Sequence, residues 1–255
     1  MSRPSRTLRT PVLLVATGLA LAACAGNGSA GDDAADVATS QSAGPTATDT
    51  PSAGAGDVAL PDGVLALPVL GSGGEEPVLD AGRYQVPLSD ALAFDVDLPQ
   101  GTTAHDEGLY LDMPAGIIKV EAAGKGYGVP VDACHVQGIK PVGPTVQHLV
   151  TAIGKEPVYR VSAPEQVKIG GAGGTYLEIQ VPTGYDASSC EGGQVGMPGN
   201  PDTRNNMPPG YVGDWWVLDV DGQRVVAQTF CDGCGHSAGD ALTKAVQSIT
   251  FTSTP

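Results

Sequence analysis

The densest set of chemically capable residues lies between residues 230 and 240, in the sequence FCDGCGHSAGD. Cys231 and Cys234 form a C-x-x-C pair between a predicted strand and a predicted helix, which is the local setting of thiol–disulfide exchange centres. In such centres the helix N-terminus lowers the pKa of the attacking thiol. The predicted N-cap, Asp240, lies six residues after Cys234, so we expect neither thiol to lie near the helix N-terminus.

The same segment offers two weaker alternatives. Cys231, Cys234 and His236 have a spacing suited to zinc, but zinc takes four ligands and no second C-x-x-C pair supplies the fourth. Ser237 lies in a G-x-S-x-G motif typical of a nucleophile elbow, but no histidine follows it to complete a triad. The simplest interpretation is a glycine-rich loop, clipped by a disulfide, that leads into the last helix. We expect no metal site and no cofactor.

A basic and then apolar segment opens the chain. Residues 1–10 carry three arginines, and residues 11–23, PVLLVATGLALAA, form an apolar run of 13. This run is too short to cross a hydrocarbon layer about 30 Å thick, so residues 1–23 predict a signal peptide. The run leads to Cys24 in the sequence LAAC, which resembles the lipobox of bacterial lipoproteins. The resemblance implies that the Cys24 sulfur is lipidated and that cleavage then leaves Cys24 as the first residue. The lipid would anchor the protein to the outer, extracytoplasmic face of the cell membrane.

A tether of low complexity follows. Residues 24–57 draw 30 of 34 positions from Ala, Gly, Ser, Thr, Pro and Asp. Such a segment buries too little apolar surface to offset the entropy of ordering, which predicts a disordered chain with an end-to-end distance of about 32 Å. Residues 71–77, GSGGEEP, are also loop-like. The sequence therefore divides into a signal peptide (1–23), a lipidated cysteine with a disordered acidic tether (24–80), and one extracytoplasmic domain (81–255).

The charge balance excludes some classes of partner. The 255 residues carry 13 Lys and Arg against 28 Asp and Glu, for a net charge of −15. A nucleic-acid partner is not expected, because phosphate binding needs a Lys/Arg surface. Docking onto anionic lipid by charge is excluded for the same reason. From Arg83 onward the chain has ten cations against 19 acids, so the domain itself is only moderately acidic.

The chain contains five cysteines, and lipidation of Cys24 would leave four. An even number in an exported chain predicts two disulfides, although four cysteines allow three pairings. We favour Cys134 with Cys190, and Cys231 with Cys234. The first pairing spans 56 residues and has a structural role. The second closes a very short loop that contributes little stability, which keeps a functional role for it open.

Hydrophobic periodicity indicates the elements that position these residues. Runs of period two, bounded by Gly, Pro and Asp, predict strands at 82–88, 91–98, 108–112, 116–122, 157–162, 166–170, 174–181, 214–220, 223–230 and 249–252. The strongest signal is Asp221-Gly222 between two such runs, because both central positions of a tight hairpin turn need positive φ. Apolar residues at i, i+3, i+4 and i+7 predict helices over 144–154 and 240–249. We expect an α+β fold, a mainly antiparallel sheet that carries two amphipathic helices.

A long loop at 191–213 ends beside three aromatic residues, Tyr211, Trp215 and Trp216. Adjacent residues of a strand face opposite sides of the sheet, so one tryptophan is expected in the core and the other at the surface. An exposed tryptophan beside a long loop would stack on a sugar or a peptide. These three residues are the predicted binding surface for an envelope protein or a glycan.

The second half of the chain also resembles a family. The matching segments are Pro141 to Val146, Leu149-Val150, Val161 to Glu165, Gly170-Gly171, Gly174 to Glu178 and Trp216 to Arg224, with Cys134 and Cys190 flanking. They resemble the extracytoplasmic domains of uncharacterised actinobacterial membrane proteins and lipoproteins over roughly residues 83–252. The resemblance implies a compartment and a Mog1/PsbP-like α/β/α layering, and it implies no activity.

Two functions remain open at this point. The first is a membrane-anchored, non-enzymatic binding module of the cell envelope. The alternative is a tethered thiol–disulfide oxidoreductase that uses Cys231 and Cys234. The sequence favours the first, because the βαβ unit, the following cis-Pro strand and the helix placement of a thioredoxin-like centre are not evident around the C-x-x-C pair.

Overall fold

The computed structural model describes residues 60–68, 76–105, 109–135, 137–202, 205–231 and 236–253. These residues belong to one compact unit, Ala55–Pro255. The predicted signal peptide, Cys24, the tether up to residue 59, and Cys234 lie outside the described residues.

Strands dominate the described residues. They are β1 (Val64–Ala66), β2 (Val78–Leu79), β3 (Gly82–Ser89), β4 (Leu92–Leu98), β5 (Thr102–His105), β6 (Tyr110–Met113), β7 (Gly116–Ala122), β8 (Gly128–Pro130), β9 (Ile139–Pro141), β10 (Arg160–Val161), β11 (Glu165–Ile169), β12 (Ala172–Gln180), β13 (Val195–Gly196), β14 (Asn206–Met207), β15 (Val212–Val220), β16 (Gln223–Phe230) and β17 (Thr250–Ser253). The α-helices are α1 (Val146–Ile153) and α2 (His236–Gln247), and a single 3₁₀ turn spans Glu191–Gly193.

The strands form one large sheet and one smaller sheet. The large sheet has the order β10-β12-β15-β16-β7-β6-β5-β2, with β11 also paired to β12, and all its pairings are antiparallel. The smaller sheet has the order β1-β3-β4-β17, in which only β1 and β3 run parallel. Two short ribbons pair β8 with β9 and β13 with β14. The α+β class with a mainly antiparallel sheet is confirmed.

The hairpin between β15 and β16 forms as its turn residues predict. Asp221 and Gly222 have φ of +51° and +84°, the left-handed values of a two-residue turn. The side chain of Asp219 fixes the turn, because its Oδ1 accepts a hydrogen bond from the Gly222 backbone N–H at 2.8 Å.

Both faces of the large sheet are covered. Successive residues of a strand face opposite sides, and β15 accordingly sends Trp215 and Val217 into one hydrophobic cluster and Trp216 and Leu218 into another. The smaller sheet and α2 cover the face that carries Trp216. Helix α1 and the chain between β12 and β15 cover the face that carries Trp215. Each face therefore has its own core.

The two helices match the predicted stripes, but α2 begins earlier than expected. In α1 the Thr145 hydroxyl caps the His148 backbone N–H, and Leu149, Val150 and Ile153 are buried. Helix α2 begins at His236 and not after the predicted N-cap Asp240. Gly239 lies inside this helix because the packing of Leu242, Ala245 and Val246 in a core outweighs the low helix propensity of glycine. Among the described residues, no helix combines the length and apolarity needed to span a membrane.

Ordered structure also begins earlier than the predicted boundary at residue 81. β1 pairs with β3, and β2 pairs with β5. Leu79 is buried and Leu67 packs against the same core. The expected tether of 24–80 is therefore too long, because the apolar residues between 58 and 70 provide a strand for a sheet edge that the sequence alone does not reveal.

Candidate binding cleft

A cleft opens at the turn end of the β15–β16 hairpin. Its volume is about 530 Å³, which falls within the range of small-molecule sites. Three segments form it: the chain after β7, the segment that leads into α1, and the hairpin turn. Its lining residues are Ala123, Gly124, Lys125, Val142, Pro144, Gly222, Gln223 and Arg224.

Arg224 is the buried charged residue that lines this cleft. It lies at the start of β16, and only 4% of its surface is exposed. Its Nη1 donates hydrogen bonds to the backbone oxygens of Gly143 (2.5 Å) and Thr145 (3.2 Å). Its Nε and Nη2 are buried without a hydrogen-bond partner among the described residues. The side chain is therefore held from one side, while two of its donor atoms remain unsatisfied.

An aromatic ring positions the guanidinium from below. The Arg224 Cζ lies 5.7 Å from the centroid of the Tyr127 ring, within cation–π distance. Tyr127 is fully buried. Burial raises the pKa of the Tyr127 phenol well above its ordinary value, and the charge of Glu121 raises it further. The ring consequently stays neutral and remains a favourable surface for the cation.

A buried polar network fixes Tyr127 in turn. Gln228 Nε2 donates to Tyr127 OH and to Glu121 Oε1, each at 3.1 Å. Glu121 Oε1 lies 2.8 Å from Lys119 Nζ, and its Oε2 accepts from Asn200 Nδ2 at 3.1 Å. Antiparallel pairing explains the proximity, since Gln228 stands opposite Lys119 and side chains of paired residues share a face. A continuous set of polar contacts thus runs from β7 to the cleft.

The ion pair in this network is almost completely shielded from water. The side chains of Lys119 and Glu121 are 0% and 3% exposed. Burial lowers the pKa of Lys119, while the neighbouring Glu121 charge opposes that shift. The Lys119 ammonium also lies 5.4 Å from the centroid of the Tyr110 ring. In a buried pair of this kind each charge compensates the other. Removing either partner therefore leaves a buried charge without compensation.

Cations gather around the cleft in an otherwise acidic domain. Two further cavities, of about 370 Å³ and 120 Å³, share Val142 or Arg224 with it. Lys125, Lys140, Lys155 and Arg224 line the three cavities together, and they are four of the ten cations from Arg83 onward. The local potential is therefore more positive than the net charge implies.

Two acids also line the smaller cavities, and neither neutralises Arg224. Asp219 holds the hairpin turn through Gly222. Burial raises the pKa of Glu156, and the charge of Lys140 partly opposes that rise. Among the described residues, no carboxylate forms an ion pair with Arg224.

The predicted aromatic binding surface is wrong. Tyr211, Trp215 and Trp216 are 7%, 0% and 3% exposed. β15 is an internal strand whose faces both lie in hydrophobic cores, so neither tryptophan reaches the surface. The Tyr211 hydroxyl donates to the backbone oxygen of Thr229 at 3.2 Å. These aromatic residues stabilise the domain and are not available to a ligand.

The structure joins Cys134 to Cys190, the pairing that the sequence favours. This disulfide ties the segment after β8 to the 3₁₀ turn. Cys231 is also disulfide-bonded, and its predicted partner, Cys234, lies outside the described residues. Among the residues that the structure describes, no three His, Cys, Asp or Glu side chains are grouped to hold a metal ion.

Sequence reasoning missed Arg224 as a site residue. A signal was present, because Arg224 interrupts an apolar strand at the same face as Val226 and Gln228. Lys119 and Glu121 interrupt β7 in the same manner. Charged residues at inward positions of a central strand indicate a buried polar site, since charges are almost never buried without partners.

No protein-family model matches the chain, and no curated protein matches it significantly.

Proposed function

We propose that the chain is a lipoprotein of the bacterial cell envelope, held through a lipid on Cys24 to the outer face of the membrane. The signal peptide of residues 1–23 and the lipobox support this proposal. The Cys134–Cys190 disulfide agrees with an oxidising compartment. The actinobacterial resemblance supports the same location, and one helix on each face of the large sheet supports a Mog1/PsbP-like layering.

Substitution of the anchor residue tests the location. A Cys24→Ala variant cannot accept the lipid, so it should be released into the medium while the wild type remains with the membrane fraction. Immunoblots of both fractions measure the distribution. A Cys134→Ala variant is the matched control, because it also removes one cysteine and should stay membrane-bound. Retention of Cys24→Ala at the membrane would contradict the anchor.

The domain acts as a non-enzymatic binding module, and the cleft beside Arg224 is its ligand site. The observation that carries this proposal is Arg224, a residue only 4% exposed that lines a cleft and has two donor atoms without a partner among the described residues. Buried polar groups in native proteins are almost always partnered. A ligand that completes these contacts is either a small envelope molecule or an exposed group of an envelope protein or glycan.

A fragment screen tests the cleft independently of any particular ligand chemistry. Neutral, anionic and cationic fragments are titrated into ¹⁵N-labelled full-length protein. We expect saturable shifts in the amide resonances of Gly124 and Gly222, which line the cleft, and of Gly143, whose backbone oxygen accepts from Arg224. We expect none at Gly184, which lines neither this cleft nor the two neighbouring cavities. A screen in which no fragment shifts these three amides would refute a ligand site here.

One observation favours a second candidate, the tethered thiol–disulfide oxidoreductase. Because α2 begins at His236, Cys234 precedes the first helical residue by two positions, closer to a helix N-terminus than the sequence suggests. A reduced C-x-x-C pair would reduce a substrate disulfide and become oxidised itself. An insulin-reduction assay with dithiothreitol as electron donor measures this activity. Turnover that is lost in Cys231→Ser would establish it, and no turnover in the wild type would eliminate it.

A further inference from the structure

We infer that the cleft recognises a carboxylate group, which the Nε–Nη2 edge of Arg224 binds in bidentate fashion. The inference rests on the proposed role of the cleft as a ligand site and assigns the chemical class of the ligand. It follows from the geometry of one guanidinium, from the charge around it and from the surface beside it.

The geometry leaves one recognition edge without hydrogen-bond partners among the described residues. A guanidinium carries five N–H groups in a fixed plane, and the N–H groups of Nε and Nη2 point in the same direction. Nη1 donates to Gly143 and Thr145, while Nε and Nη2 have no partner among the described residues. Two parallel donors match the two oxygens of a carboxylate.

The charge around Arg224 calls for an anion. Nine-tenths of the residue is removed from water, and a buried cation is stable only when it is paired. Asp219 stands opposite Arg224 in the hairpin, but it is exposed and holds the turn. Glu121, the buried acid of the network, is already engaged with Lys119, Gln228 and Asn200. An acid supplied from outside would therefore satisfy two donors and compensate one charge at once.

The lining of the cleft favours a monoanion with an apolar portion. Ala123, Val142 and Pro144 provide apolar contact, and Lys125 is the other cation of the lining. A phosphate dianion needs more donors than one guanidinium edge and one ammonium supply. A carboxylic acid with a short apolar body matches both the donors and the wall.

Binding requires a local movement. Nε and Nη2 are closed to solvent in this structure, so the acid must displace the Arg224 side chain or the segment from Val142 to Thr145. That segment holds Arg224 only through backbone oxygens of Gly143 and Thr145. The amides of these two residues should consequently respond to the ligand together with the guanidinium.

Short water-soluble probes test this recognition on the full-length, ¹⁵N-labelled protein in detergent. Butyrate is compared with butyramide, which has the same shape without the charge, and with inorganic phosphate. We expect butyrate to move the Hε resonance of Arg224 downfield and to bind at least tenfold more tightly than butyramide. Because Hε is observed in the wild type, this result does not depend on the folding of any variant.

Variants then assign the effect to the guanidinium. Arg224→Lys keeps the charge but loses the bidentate edge, so it should weaken butyrate binding at least tenfold. Arg160→Lys is the matched control, because Arg160 is exposed on β10, and it should bind butyrate as the wild type does. Far-ultraviolet circular dichroism of each variant checks its fold.

Three outcomes would overturn the inference. Equal binding of butyrate and butyramide with an unmoved Hε would leave the cleft as a ligand site but exclude carboxylate recognition. Binding of phosphate with no binding of butyrate would assign the edge to another oxyanion. No response of the cleft to any of these probes would also refute carboxylate recognition, and the fragment screen would then decide whether the cleft binds anything.

Discussion

The buried ion pair of Lys119 and Glu121 contributes to the stability of the domain. Replacing Glu121 with Gln removes the charge that compensates a completely buried ammonium. It also converts the acceptor of Gln228 and Asn200 from a carboxylate to an amide. Breaking a buried pair on one side costs about 3–5 kcal/mol. We expect Glu121→Gln to lower the free energy of unfolding by that amount, as urea titration measures.

The matched control is Glu178→Gln, at an exposed position on β12, which should change stability by less than about 0.5 kcal/mol. The double variant Lys119→Met/Glu121→Leu removes both charges, and it should recover most of the loss because hydrophobic residues replace a buried pair at little cost. Equal stability of Glu121→Gln and Glu178→Gln would show that the pair does not stabilise the fold.

Gly143 lies just before α1, where a side chain would meet the first turn of the helix. A Cβ on Gly143 would lie 2.4 Å from Nδ1 of His148, and the same Nδ1 contacts the Thr145 hydroxyl at 2.9 Å. Gly143→Ala should therefore displace His148 and weaken the N-terminus of α1 by about 1 kcal/mol. Gly124→Ala is the control, because its Cβ would meet nothing within 4 Å. Thermal unfolding curves compare the two, and coincident curves would contradict the prediction.

At the scale of elements, the Cys134–Cys190 disulfide joins two segments that cover the same face of the large sheet, the chain after β8 and the 3₁₀ turn. It closes a loop of 56 residues, for which chain entropy gives a stabilisation of about 4 kcal/mol. The double variant Cys134→Ser/Cys190→Ser should lose about that much in urea unfolding. Cys231 is unchanged in this variant, so the loss of stability would come from the Cys134–Cys190 disulfide alone. A loss below 1 kcal/mol would mean that packing alone holds these segments.

The helices and strands differ in how well the sequence predicts them. The β15–β16 hairpin and the apolar stripe of α1 were predictable, because turn chemistry and periodicity are local properties. Short strands such as β1 and β8 were not, since two or three residues become a strand only when a partner from elsewhere pairs with them. The start of α2 was also missed, because tertiary packing overrides the local preference of Asp240 for a cap.

The candidate site was harder to predict than the fold. Period two places Arg224 on the same face of β16 as Gln228. It does not say that Tyr127 lies beneath the guanidinium or that Gly143 accepts from it. Those contacts join residues about 80–100 positions apart in the chain. The same gap explains the error at Trp215 and Trp216, because alternation assigns opposite faces without saying whether each face is covered.

At the scale of the whole molecule, a sheet covered on both faces buries Tyr127 and Tyr211 and leaves Tyr176 half-buried. Burial raises the pKa of Tyr127, Tyr176 and Tyr211 above the ordinary value of 10.0. The hydroxyl of Tyr176 also donates to Asp214 at 2.7 Å, which raises its pKa further. Three of the seven tyrosines, two buried and one half-buried, therefore keep their protons above pH 10 as long as the domain is folded.

This burial predicts alkaline unfolding. Above pH 10 the folded state holds protons that the unfolded state has released, so the stability from these phenols is complete below pH 10 and is lost as pH rises. In a titration followed at 295 nm, Tyr127 and Tyr211 should ionise only together with unfolding, seen in near-ultraviolet circular dichroism, and the half-buried Tyr176 should ionise above pH 10. The protein in guanidinium chloride is the control, where all seven should titrate near pH 10. Reversible ionisation of Tyr127 and Tyr211 in the folded protein would contradict the prediction, because it would mean that water reaches the core that contains Trp215.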